Sequence, residues 1–326
     1  MKLCYTVCTN SHLAKAKTMA DSLVKHNPDY QVVIGLVDKL GAVINPADFA
    51  PHTFVEVEKI QIPDFEEVIR KYTTFEVSCV AKPYFAQYLF EQFSDLERLY
   101  YFDADICFFN KLTSVERLLD AHEIVISVHF TTDLEGQQEP NLRNLLNAGL
   151  YNTGFLAFKR SVESLRFIQW WGKRLLTEGY HDFAQGMFVD QLWVNFAPLL
   201  FKNVLIDTHS GHNVGYWNFH ERVVSQKNNQ YYINNEQPLV FFHFSGYGPE
   251  SPDTISQYQE RYSFDTRPDV KPIFEEYNRL IISNGHQNYK DLPCAFYKKS
   301  YSHQKLRGLR RRIILILRQL LRQLEN

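Results

Sequence analysis

Leu99-Tyr-Tyr-Phe-Asp-Ala-Asp-Ile-Cys-Phe-Phe109 is an apolar, aromatic run interrupted by two carboxylates, Asp103 and Asp105, spaced i, i+2. The run reads as a buried strand. Charged groups are rarely buried without a partner, so two aspartates at the edge of a core strand need an explanation. Hard oxygen ligands at a strand end suit Mg²⁺ or Mn²⁺ carrying a substrate's diphosphate. A capped turn is the alternative, because D-x-D recurs by chance.

Outward from this run the pattern alternates. Residues 2–9, Tyr30 to Val37 and Thr53 to Val57 read as strands. Asn10-Ser11 can cap a helix running to about His26, where Asn27-Pro28 ends it. Pro63-Asp64 opens a short helix. Lys82-Pro83 starts a firmer one, with proline at the first helical position and an apolar stripe at Phe85, Tyr88, Leu89 and Phe93. Beyond the aspartates come a helix at Ser114–Asp120, a strand at Glu123–Val128, a polar loop from His129 to about Leu142 and a strand at Thr153–Phe158. An amphipathic helix follows at Ser161–Leu176 and another helix at Met187–Leu200. Short strands are expected at Val204–Ile206 and Leu239–Phe242, and mostly helix over 253–285. The alternation predicts an α/β fold with a mostly parallel central sheet flanked by helices on both faces. Ligands of such sheets sit beyond the carboxyl ends of the strands, where Asp103 and Asp105 lie.

At 326 residues the chain can bury a large core, and 45% hydrophobic with 22% charged residues is an ordinary globular composition. Aromatic residues reach 15%, which suits a site that stacks rings or sugars, although large cores use aromatics too. The five cysteines form no C-x-x-C pair and read as reduced core residues of a cytosolic protein. The first residues lack a signal-peptide layout, and the longest aliphatic run, Ile313 to Leu317, is too short to span a bilayer. Residues 303–326 carry seven Lys/Arg against one acid, Glu325, so the total charge of −2 conceals an acidic body with a basic appendage. In that tail Leu306, Leu309, Ile313, Ile316, Leu317, Leu320 and Leu324 recur at helical spacing. A basic amphipathic helix suits an anionic membrane surface, with a dimerising or intramolecular helix as the alternative. An acidic body without a recognition module argues against nucleic acid as a partner.

Several motifs then fall in order: Lys82-Pro-Tyr-Phe85, the two aspartates, Leu150-Tyr-Asn-Thr-Gly-Phe155, Val189-Asp-Gln-Leu-Trp193, Gly215-Tyr-Trp-Asn-Phe-His-Glu-Arg222 and Phe241-Phe-His-Phe-Ser-Gly246. The ordered set resembles nucleotide-diphospho-sugar glycosyltransferases of the Rossmann-like GT-A fold, in particular glycosyltransferase family 8 and related bacterial enzymes. The likeness covers about residues 1–250, which would form the catalytic domain, with 251–302 as its helical C-terminal extension and 303–326 as the basic helix.

The resemblance implies that Asp103 and Asp105, with His243 as third ligand, hold Mn²⁺ or Mg²⁺ against the donor's phosphates; a core histidine is the alternative for His243. The lysine usual a few residues after that histidine is missing from Ser245-Gly-Tyr-Gly-Pro-Glu250. Lys82 and Arg222 are the expected substitutes. Cys8, Thr9 and Asn10 fall where the family binds base and ribose. Ala104, Asn152, Thr153, Gly154, Ser245 and Gly246 fall at the donor, Gly154 allowing close approach of a ligand. Asp190 and Gln191 match the pair beneath the anomeric carbon in retaining enzymes. Trp217 is expected to contact sugar, and Glu221 to act as base if the reaction inverts.

The implied activity is metal-dependent hexosyl transfer from a UDP-sugar type of donor to a glycan or lipid-linked acceptor at the cytoplasmic membrane face, by a monomer or homo-oligomer. Nucleotidyl transfer and a non-catalytic homologue acting in glycan assembly are the alternatives. Thr9-Asn-Ser-His12 is not the glycine-rich basic loop that nucleotidyl transfer usually uses.

Overall fold

Strand side chains divide between two faces with a period of two. Leu3, Tyr5 and Val7 of the first strand join Leu99, Tyr101, Leu156 and Phe158 in one apolar layer. Cys4, Tyr100, Phe102, Phe155 and Ala157 point into the opposite layer. The computed structural model behind these assignments describes residues 1–296 apart from Ala42 and Gln137, together with Ile313 and Leu317. The basic helix expected over 303–326 lies outside the described residues, those two positions excepted.

The strands are β1 (Lys2–Cys8), β2 (Tyr30–Leu36), β3 (Thr53–Glu56), β4 (Arg98–Phe102), β5 (Ile106–Phe108), β6 (Ile124–Val128), β7 (Tyr151–Lys159), β8 (His181–Asp182), β9 (Met187–Phe188), β10 (Val204–Asp207), β11 (Val224–Lys227), β12 (Gln230–Ile233), β13 (Gln237–Pro238) and β14 (Phe241–His243). The helices are α1 (Leu13–His26), α2 (Phe65–Lys71), α3 (Thr74–Gln92), α4 (Thr113–Ala121), α5 (Leu142–Ala148), α6 (Val162–Glu178), α7 (Gln191–Val194), α8 (Ala197–Leu200), α9 (Lys271–Ser283) and α10 (His286–Tyr289).

A seven-stranded sheet runs β10-β6-β7-β4-β1-β2-β3. β7 pairs antiparallel with β4 and β6, and every other pairing is parallel, as the alternation predicted. Because β7 runs against the rest, its N-terminal end lies at the carboxyl edge of β4. There Asp103 N–H donates to Gly154 O at 2.8 Å. The β6–β7 register shifts between Ile126 and Ser127, and this bulge displaces Thr153 and Gly154 from regular pairing. Helices α3 and α6 cover one face, and α1 and α4 the other. Leu13, Ala14 and Ala16 of α1 also pack with Val270, Phe274, Tyr277 and Ile281 around α9. Among the described residues no helix is long and apolar enough to cross a membrane.

Several elements depart from expectation. α3 begins at Thr74, well before Lys82, and Pro83 sits inside it. A capping box starts the helix: Thr73 Oγ1 accepts from Glu76 N–H, and Glu76 accepts from Thr73 N–H. Burial of Val77, Val80, Phe85 and Leu89 then outweighs the hydrogen bond that Pro83 cannot donate. Asn10 caps nothing by its side chain; a short 3₁₀ turn precedes α1, and the Asn10 amide donates to Lys39 O at 3.0 Å. The helix expected at Met187–Leu200 is broken into β9, α7 and α8, with Val189 in the left-handed region at φ 36°. Most of 253–267 is irregular, held by contacts such as Tyr262 N–H to Gln259 Oε1 at 2.7 Å.

Thr73→Ala removes one half of the α3 capping box and should lower stability by about 1 kcal/mol. The urea midpoint of the variant should fall with its m-value unchanged; an unshifted midpoint would contradict a stabilising role for the box.

Candidate functional site

β4 ends at Phe102, and Asp103-Ala104-Asp105 turns the chain into β5 at the carboxyl edge of the sheet. β5 pairs antiparallel with β14, placing Ile106 opposite His243. Phe244 N–H donates to Asp105 O at 2.8 Å. The pairing puts His243 Nε2 3.0 Å from Asp105 Oδ1 and 3.8 Å from Asp103 Oδ2. One ligand atom from each of Asp103, Asp105 and His243 lies within 4.8 Å of the others. Two carboxylates and an imidazole suit Mg²⁺ or Mn²⁺.

The orientation of the ring follows from a chain of hydrogen bonds. Leu150 O can only accept, so His129 Nδ1 donates to it at 3.0 Å. Burial pulls His129 down to about 4, so the ring is neutral near pH 7 and its Nε2 accepts. Asn152 Nδ2 donates there at 3.4 Å, which leaves Asn152 Oδ1 to accept from Gly154 N–H at 2.9 Å and Asn213 Nδ2 at 3.1 Å. Asn213 Oδ1 then accepts from His243 Nδ1–H at 3.2 Å. In a neutral His243 ring the bare nitrogen is Nε2, which faces both aspartates. A metal-ligating histidine needs this arrangement, and the residues therefore fit a divalent cation. Burial raises the Asp105 carboxyl, but His243, with Lys15 and His12 beyond it, outweighs burial and holds it below the usual carboxylate range.

Lys82 joins this cluster to a second one. Its buried ammonium lies 3.1 Å from Asp103 Oδ1, 3.0 Å from Asp190 Oδ2 and 4.9 Å from the Tyr101 ring centroid. Burial alone would lower the Lys82 pKa, but the two carboxylates outweigh it and raise it. Tyr101 O–H donates to Asp103. Asp190, at the start of α7, is 2% exposed, and its carbonyl accepts from Trp171 Nε1 at 3.1 Å. Gln191 Nε2 donates to Ala148 O at 3.1 Å and its Oε1 accepts from Thr153 N–H at 3.4 Å, so both ends of the amide are fixed.

Asp103, Asp105, His243, Lys82, Asn152, Thr153, Gly154, Asp190 and Gln191 thus form one continuous assembly. Ala104 is nearly buried between the aspartates, and Ser245 and Gly246 follow His243 on the exit loop, where Gly246 has φ +74°. Gly154 makes room for protein rather than for ligand: a β-carbon there would lie 2.3 Å from His243 Cε1. At the end of β1 the Cys8 thiol lies in an apolar cluster, and Thr9 Oγ1 contacts His12 Nδ1 at 3.2 Å. Asn10 N–H donates to Asp38 at 3.2 Å, while Asn10 Oδ1 is buried without a partner among the described residues. Asn10 and Asp38, with Leu292 and Pro293, line a cavity of about 270 Å³.

Three residues turn away from their expected tasks. Trp217 is buried with its ring 5.0 Å from that of His243, so it packs on the histidine rather than offering a face to sugar. Glu221 accepts from the backbone and hydroxyls of Thr131 and Thr132 at 2.7–3.1 Å, which leaves it poorly placed as a base. Arg222 is buried, donates to His212 O at 2.7 Å and lies 3.4 Å from Glu221, so it is committed within the fold. Asn213, His129 and Asp38 were not anticipated; no local motif marks them, because their partners are far away in sequence.

No family model matches the chain. It is 32% identical over 207 residues to the uncharacterized protein YfnF of Bacillus subtilis (strain 168), a match spanning 61% of this chain and 65% of that protein. A second uncharacterized protein of the same organism, YfnD, is 25% identical over 246 residues, covering 74% and 76%. Among solved structures, the galactosyltransferase LgtC in complex with donor and acceptor sugar analogues superposes with a TM-score of 0.51 at 15% identity, covering 91% of this chain and 99% of that one. The glycosyltransferase GlyE of Streptococcus pneumoniae TIGR4 gives 0.48 at 15% identity, covering 90% and 65%. The fold is the GT-A glycosyltransferase fold.

Gly154→Ala and Asn213→Leu should each weaken Mn²⁺ binding roughly 10- to 100-fold with the far-UV circular dichroism unchanged, because each frees the His243 ring from its orientation. Titration calorimetry reads the affinity; unaltered binding in Asn213→Leu would contradict the chain of hydrogen bonds.

Proposed function

We propose that this protein is a metal-dependent glycosyltransferase moving a hexose from a nucleotide-diphosphate sugar, of the UDP-hexose type, to a glycan or lipid-linked acceptor with retention of configuration. The observation that carries the reading is the Asp103–Asp105–His243 cluster at the carboxyl edge of the sheet, coupled through buried Lys82 to Asp190. A divalent cation held there would neutralise charge on the departing nucleoside diphosphate.

The chain's own residues do the rest. Asp103 and Asp105 accept the cation, and His243 is held in the tautomer that can join them. Lys82 fixes the spacing between the phosphate side and the reacting side. Asp190 and Gln191 lie on the reacting side, where a carboxylate and an amide of fixed orientation can stabilise positive charge at the sugar while acceptor and leaving group share one face. Asn10 Oδ1, without a partner among the described residues, is the acceptor assigned to a nucleobase or ribose. The basic tail at 303–326 would hold the enzyme at an anionic membrane surface near a lipid-linked acceptor.

Purified protein should be thermally stabilised by one sugar nucleotide of a panel in the presence of Mn²⁺ and should release the matching nucleoside diphosphate on adding acceptor. Asp105→Ala or EDTA should abolish that release; full turnover in either would sink the metal assignment. Replacing Asp190 or Gln191 should lower kcat far more than donor affinity, since the interaction is strongest in the transition state. Collapse of donor binding with normal kcat would make them donor ligands only. Deleting 303–326 should release the protein from anionic liposomes at low salt, and equal sedimentation of both forms would remove the membrane role.

A further inference from the structure

Both cations that the sequence offered for the phosphates are spent within the protein. Lys82 is paired with Asp103 and Asp190, and Arg222 is committed to His212 O and Glu221. Charge balance nevertheless asks for one more. Asp103 and Asp105 offset a divalent cation, which leaves the donor's phosphates, and the further charge that develops on the leaving diphosphate, without a protein counter-charge.

Lys15 stands at the right place. It lies in the first turn of α1, half-buried, and its Nζ donates to Tyr247 O at 2.6 Å. Tyr247 N–H bonds to Phe244 O at 3.0 Å, and Phe244 N–H bonds to Asp105 O at 2.8 Å. The ammonium is therefore fastened to the loop that leaves His243, and that loop is hydrogen-bonded through Phe244 to Asp105. Lys17, two residues on, is already paired with Asp21 at 2.9 Å. Lys15 has no carboxylate within 4.0 Å among the described residues, so its charge is held in place by a neutral carbonyl and is not cancelled.

We propose that Lys15 is the phosphate-facing cation of this site, contacting the diphosphate of the bound nucleotide beside Asp105 and His243. The proposal rests on the glycosyl-transfer reading. It extends that reading by assigning the counter-charge to α1 rather than to the loop after β14, to Lys82 or to Arg222.

The test uses the full chain, with Lys15→Met and Lys15→Arg, titrated with Mn²⁺ alone, with uridine, guanosine, thymidine, cytidine and adenosine diphosphates in Mn²⁺, and with the parent nucleoside of whichever diphosphate binds. Lys15→Met should bind Mn²⁺ and the nucleoside like the wild type and lose about 10- to 100-fold in diphosphate affinity, as expected for a charge-assisted hydrogen bond. Lys15→Arg should recover most of it, and added salt should narrow the gap between wild type and Lys15→Met. Equal diphosphate affinity in wild type and Lys15→Met overturns the assignment while leaving the donor reading intact. Parallel loss of Mn²⁺, nucleoside and diphosphate binding also overturns it, because Lys15 would then only be holding the Tyr247 loop. A wild type that binds none of the diphosphates overturns the donor reading and this proposal together.

Discussion

The imidazole of His243 fills space that any side chain at residue 154 would claim, since a β-carbon there would come within 2.3 Å of the ring and 2.8 Å of Asn152 Oδ1. That close approach lets β14 and β7 meet at one sheet edge. Gly154 also accepts the Asp103 N–H through its carbonyl, so one residue sets the position of the first aspartate and leaves room for the histidine. Asn213, which orients the ring, stands in the left-handed region at φ 47°. The turn presenting it is braced from below: His212 Nδ1 contacts Asp207 at 2.8 Å and its Nε2 contacts Ser114 Oγ at 2.7 Å. His212 and Asp207 are buried, and the Ser–His–Asp line serves the turn. Rigid support for ligands built on strand ends is what a metal centre requires.

Charge is arranged with the same economy. Two carboxylates, Asp103 and Asp190, face one buried lysine, and burial on this scale is tolerable only with partners in place. Lys82 also bridges the two carboxylates, holding the end of β4 to the start of α7. Glu221 and Arg261 act at longer range. Glu221 collects the backbone of Thr131 and Thr132, and Arg261 binds the carbonyls of Glu135, Gln138 and Pro140, which together fold the 129–142 segment against the body.

Much of the fold was legible because it rests on short-range signals. The alternating first strand, the apolar run at Leu99–Phe102 and the succession of strands and helices placed the sheet, and α6 begins close to the expected Ser161, which caps it by accepting from Ser164 N–H at 3.0 Å. The paired aspartates were legible as chemistry since carboxylates at a core strand end are costly. The start of α3 was misjudged because Pro83 looked like a first turn, whereas the capping box at Thr73 and Glu76 was the stronger signal. Side-chain direction was the main loss. Trp217, Glu221 and Arg222 have the right groups for binding sugar and phosphate, yet residue type does not say which way a loop faces. Lys15 escaped notice for the opposite reason: on α1 it looks like a solvated helix lysine, and its partner Tyr247 lies far along the chain.

Asp103, Asp105 and His243 are proposed to hold a divalent cation against a nucleotide's diphosphate. Electron–nuclear double resonance on the Mn²⁺ complex with the nucleoside diphosphate that binds most tightly tests this assignment most directly. The complex should show ¹⁴N coupling from one imidazole together with ³¹P coupling, and the ¹⁴N signal should be lost in His243→Ala. Phosphorus coupling with no nitrogen coupling, or a nitrogen signal that survives His243→Ala, would contradict it.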